Sequence, residues 1–85
     1  MAQTKKSFWD MEQTICEIPQ TEKKKIVVKN VEKSNKKYID VRNMFVDTKT
    51  GEWQHGKGIA IPLENAQDVI DVMQGAIREF ESLPF

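Results

Sequence analysis

Lys25, Lys29 and Lys33 are spaced so that on an extended chain they share one side with Val27 and Val31. A ladder of cations of this kind has two uses. It protects a sheet from edge-to-edge pairing, or it neutralises a polyanion. The same stretch carries the rings of Tyr38, Phe45 and Trp53, with Arg42 and Lys57 among them. Cations for phosphates beside aromatic platforms for bases are the ingredients of single-stranded nucleic-acid binding. Phe45 and Trp53 also suit the core of a small sheet domain, so both readings stand at this point.

Whole-chain charge is silent on partners, because 13 Lys and Arg balance 13 Asp and Glu. Its distribution is not. Residues 23–62 hold ten cations against Glu32, Asp40, Asp47 and Glu52, a balance of +6, whereas residues 63–85 hold Arg78 against five acids, a balance of −4. A basic middle closed by an acidic end points to an anionic partner for the middle.

Other chemistries find little support. His55 is the only histidine and Cys16 the only cysteine, which excludes an intrachain disulfide and a cysteine-based zinc cluster. No paired-carboxylate or nucleophile motif is present, and no cofactor, metal or small-molecule substrate is expected. Gly56-Lys57-Gly58 lacks the full phosphate-loop pattern, but backbone and lysine could meet a phosphate there. His55 reads as an ordinary loop residue. No apolar run is long enough to cross a membrane, and Lys5-Lys6 before Phe8-Trp9 does not make a secretory signal. A cytoplasmic location is expected, nucleoid-associated if the source is bacterial.

The elements that must position these groups fit one small α+β domain. Residues 1–11 read as a flexible start and 12–85 as the domain. Strand propensity marks residues 13–18, 23–33 and 37–47, with a shorter fourth strand at 58–61. Turns fall at 19–22, 34–35 and 48–51, and residues 53–56 read as irregular. Ala66, Val69, Ile70, Met73, Ala76, Ile77, Phe80 and Leu83 then recur at helical spacing, and Pro84 ends the pattern. In the third strand Ile39 and Val41 share one face and should meet this helix. Tyr38, Asp40 and Arg42 share the other. A single helix covers only one side of a sheet, so the lysine-bearing side is left for solvent or ligand. An 85-residue chain buries only roughly 60–65% of its unfolded surface, and the apolar helix stripe is wide enough to serve a second copy as well.

The ordered set Tyr38-Ile39-Asp40-Val41-Arg42, Phe45, Gly51-Glu52, Gly56-Lys57-Gly58-Ile59 and an acidic helix start at Glu64 resembles the positive cofactor 4 family of transcriptional coactivators. It is closest in style to that family's small bacterial single-stranded-DNA-binding relatives, over about residues 23–82. The resemblance implies a curved four-stranded antiparallel sheet followed by one C-terminal amphipathic helix, assembled as a homodimer that binds single-stranded or melted DNA largely without sequence preference. It implies backbone contacts for Arg42 and Lys57, a base-stacking role for Phe45, and buried sheet positions for Ile39, Val41 and Ile59. Lys25, Lys29 and Lys33 correspond by region and face. The chain has Glu32-Lys33 where the family often has an aromatic, and Pro62 where it usually has a polar helix cap. It also lacks the serine-rich acidic tail of the eukaryotic coactivators.

The expected function is therefore single-stranded DNA binding, without catalysis, in transcription regulation or DNA maintenance. The candidate contacts are Lys25, Lys29, Lys33, Tyr38, Arg42, Phe45, Trp53 and Lys57. A protein-interaction module of the same fold and a single-stranded RNA binder are the alternatives.

Overall fold

The computed structural model describes residues 8–83. Four antiparallel strands, β1 (Met11–Thr21), β2 (Lys24–Lys33), β3 (Lys36–Val46) and β4 (Trp53–Pro62), lie side by side in chain order, and α1 (Leu63–Ser82) follows. The expected flexible segment falls mostly outside the described residues. Within them, Asp10 already bonds to β2, its amide donating to the Glu32 carbonyl at 2.8 Å.

Local chemistry explains the turns. Ser34 and Asn35 both adopt positive φ, 53° and 66°, the twist that a two-residue hairpin between right-twisted strands requires. Gly51 supplies φ 75° at the β3–β4 turn. Pro19 does not begin a turn, as its type suggests, but lies within β1, which runs on to Thr21. As an edge strand, β1 can accommodate a residue without an amide hydrogen, and its register shifts between Pro19 and Thr21. The fourth strand is also longer than its sequence suggests, because Trp53, Gln54 and His55 pair with Val46, Phe45 and Met44.

Register fixes the faces. Lys25, Val27, Lys29 and Val31 oppose Met44, Arg42, Asp40 and Tyr38, so these eight side chains share one surface, the basic face. Ile26 and Val28 share the other, the apolar face, with Ile39, Val41, Asn43 and Phe45. The core is not where the sequence pattern puts it. Val31 and Val27 are the buried hydrophobic residues, 1% and 3% exposed, and both lie beneath the lysines of the basic face. Ile39 and Val41 are only half-buried, and Ile59 is exposed.

The physical reason is the position of the helix. α1 touches β3 and β4 but neither β1 nor β2, and Ile70, Met73, Ile77, Phe80 and Leu83 of its stripe are exposed. It does not lie over Ile39 and Val41 as a covering layer. The described residues extend 56 × 37 × 16 Å, a flat shape with two apolar surfaces left open.

Gly58 marks a tight approach between β3 and β4. A Cβ there would stand 2.7 Å from the Arg42 Cβ and from the Val41 carbonyl oxygen, and backbone cannot easily yield. Gly58→Ala is expected to lower stability by about 1–3 kcal/mol, read as an earlier midpoint in urea unfolding. An unchanged midpoint would mean that the two strands do not approach this closely.

Candidate nucleic-acid interface

Alternation along β2 and β3 brings six of the eight candidate contacts to the basic face or its rim: Lys25, Lys29, Lys33, Tyr38, Arg42 and Trp53. Phe45 is on the opposite surface, because it is an odd number of residues from Arg42. It opposes Lys24 and Gln54 there and is 41% exposed. Lys57 is exposed in a bulge, where the β3–β4 register slips between Arg42 and Met44. A bulge of this kind re-aims side chains and bends its strand. Gly56 in the same bulge leaves room for the Asn43 carboxamide, which a Cβ would strike. The sequence places these candidates together; the structure divides them between two faces.

The lysine ladder is also largely neutralised from within. Lys25 Nζ lies 3.1 Å from Glu17 Oε1, and Lys29 Nζ lies 3.0 Å from Glu12 Oε1. Both acids come from β1, which crosses beside β2 in antiparallel register. Arg42 closes a fork on Asp40, Nη2 to Oδ1 at 2.9 Å and Nε to Oδ2 at 3.2 Å, and its Nη1 donates to the Gly56 carbonyl at 3.3 Å. Asp40 is the buried charged residue among those described. A fork of this geometry satisfies a carboxylate that burial would otherwise penalise. Arg42 is therefore first a structural cation. No sequence signal identified Glu12 and Glu17 as its neighbours' partners, since they are 17 and 8 residues from Lys29 and Lys25 and meet them only through pairing.

The free cations lie elsewhere. Among the described residues Lys23, Lys24, Lys33, Lys36, Lys37, Lys49 and Lys57 make no ion pair with a carboxylate. Apart from Lys57 they gather at the two ends of the sheet. One end joins Lys23 and Lys24 to Phe45 on one face and Trp53 on the other. Trp53 is 40% exposed, with Lys25 Nζ 4.4 Å above its ring. The other end joins Lys36 and Lys37 to Tyr38. Between them, on the basic face, a depression of about 430 Å³ is lined by Phe8, Trp9, Glu12, Val27, Lys29, Asp40, Arg42, Met44 and His55. His55 is thus part of β4 and of this surface, not of a loop. The described residues include no cluster of three or more groups fit to hold a metal ion, and no helix is long and apolar enough to cross a membrane.

The model of the family described as Transcriptional Coactivator p15 (PC4) matches residues 18–72. The structure is similar to the crystal structure of a PC4 homolog from Burkholderia pseudomallei, with a TM-score of 0.70 and 28% identity over 86% of this chain and 99% of that one. No curated protein matches the chain.

The Asp40–Arg42 fork makes a measurable claim. Asp40→Ala and Arg42→Met each strand a partner and should each cost roughly 1.5–3 kcal/mol. The double substitution should cost clearly less than their sum, as a double-mutant cycle in urea would show. Strict additivity would mean that the fork contributes nothing.

Proposed function

The chain belongs to the transcriptional coactivator p15 (PC4) family, and from that membership we propose that it binds single-stranded nucleic acid, DNA foremost, with no catalytic step. The observation that carries this reading is that Lys23 and Lys24, which make no carboxylate pair, lie at the end of the sheet that holds the exposed rings of Phe45 and Trp53. Lys23, Lys24 and Lys57 supply charge for phosphates, and Phe45 and Trp53 supply platforms for bases. Lys25, Lys29 and Arg42, held by β1 and by Asp40, line the path rather than drive attraction. Binding of this kind reads backbone and stacking, so it is largely independent of sequence. It suits a role in transcription regulation or DNA maintenance, in the cytoplasm or on a nucleoid.

The open apolar surfaces support a second part of the proposal, a homodimer. The stripe of α1 and the apolar face are each too large to leave in water for a chain whose described core rests on two valines. A second copy offers both surfaces in self-complementary form.

Tryptophan fluorescence titrated with oligo-dT of about 20 nucleotides tests the binding. The expected result is tight binding, weak binding to a duplex of equal length, and a salt slope of roughly 0.7 per phosphate contacted. Phe45→Ala should weaken binding at least about fivefold without unfolding the protein. Equal or tighter binding of oligo-U would move the assignment to RNA, and no binding to either by a folded protein would leave a protein-docking module. Glu17→Gln, which releases Lys25, should tighten binding and steepen the salt slope; weaker binding would mean that Lys25 acts only when held.

Sedimentation tests the dimer. The wild-type chain should run at twice its 9.9 kDa mass, and Ile77→Asp with Phe80→Asp should yield monomer. A monomeric wild type at micromolar concentration would refute the second copy.

A further inference from the structure

The end of the sheet opposite Phe45 and Trp53 holds a second set of rings, contributed by a segment that lies before the family match. Phe8 and Trp9 meet edge to face, with centroids 4.9 Å apart at 87°, and Trp9 lies 5.6 Å from the Tyr38 ring. Three polar contacts fix this corner. The Asp10 amide donates to the Glu32 carbonyl at 2.8 Å, the Ser34 amide donates to Asp10 Oδ2 at 2.9 Å, and Lys33 Nζ donates to the Phe8 carbonyl at 2.8 Å. Yet the Phe8 side chain remains 68% exposed. A large apolar ring whose backbone is anchored and whose surface stays in water costs free energy unless something else covers it.

Charge indicates what covers it. Lys33 Nζ sits 4.6 Å from the Phe8 ring centroid, and unlike Lys25 and Lys29 it has no carboxylate partner among the described residues. Lys36, its cross-strand neighbour, is likewise unpaired. Phe8 and Trp9 also form one wall of the depression on the basic face, whose far wall includes His55. We propose that Phe8, with Trp9 and Tyr38 behind it, is a second base-stacking subsite, and that Lys33 and Lys36 take the adjoining phosphates. This rests on the single-strand reading above and extends it. On the basic face Tyr38 stands eight residues from Val46, the cross-strand partner of Trp53, roughly 26 Å along the strand, so one strand crossing this face would be gripped by rings at both ends.

The test uses the full chain, oligo-dT of about 20 nucleotides, and an abasic oligomer of equal length that keeps the sugar–phosphate backbone. Phe8→Ala should weaken oligo-dT binding at least about fivefold and leave abasic binding unchanged. Phe8→Leu, which keeps apolar bulk without the ring, should show the same loss, and Phe8→Tyr should not. Circular dichroism confirms that each variant is folded. Equal losses on both oligomers would overturn the proposal, since Phe8 would then act by holding Lys33. Unchanged binding would make the corner a clasp for β1, and tighter binding would make it a cover over the face; either result overturns the proposal while leaving the single-strand reading intact. A wild-type chain that binds neither oligomer removes that reading and this subsite with it.

Discussion

The basic face has to be both core and charged surface, and most of the structure follows from that constraint. A single-layer sheet has no helix over it to bury an apolar stripe. The valines that are buried, Val27 and Val31, share their side of β2 with Lys25, Lys29 and Lys33. Long lysine stems can cover valine methyls while their ammonium groups reach outward. The charges then need partners, and β1 supplies them through Glu17 and Glu12. Asp40, buried on the same face, needs a cation, and Arg42 two residues on supplies a forked one. The middle of the sheet is thereby nearly self-neutral. Attraction for a polyanion must come from the ends, where lysines remain unpaired.

This division gives the proposed nucleic-acid surface its character. Pairs in the middle of the face are partly shielded and fixed in place, so they offer a preorganised floor rather than a strong pull. Exposed lysines at the ends contribute through counterion release, a term that depends on salt and not on sequence. Rings at the ends add stacking, which tolerates any base. Under the proposed function, such a surface holds single strands without reading them.

Much of this was legible in the sequence, and the rest was hidden for identifiable reasons. Four strands, the Ser34-Asn35 hairpin and the helix follow from alternation, turn chemistry and 3.6-residue periodicity. The motif running from Tyr38 through Gly58-Ile59 was enough to indicate the family. Alternation also assigned Lys25, Val27, Lys29, Val31 and Lys33 to one side, but it could not say that this side is where burial occurs. That depends on where α1 goes, which is a tertiary fact. The Glu12 and Glu17 pairings depend on β1 register, including its slip between Thr14 and Cys16. The separation of Phe45 from Arg42 was available from parity alone. Neighbours in a motif need not be neighbours on a face. Phe8 and Trp9 carried no periodic signal, and their position becomes meaningful only when Lys33 and Tyr38 are seen beside them.

The division of polar and apolar surfaces also bears on assembly. If the basic face faces a ligand, a second copy has the apolar face and the α1 stripe available, and these are the surfaces rich in exposed Ile, Met and Phe. The two requirements do not compete for the same side chains. Phe45 is the exception, since it sits at the edge of the apolar face beside Lys24, where a dimer seam and a stacking platform would meet. In the proposed homodimer, Phe45 therefore lies where the interface between copies adjoins the proposed stacking platform, so its two roles must share one edge.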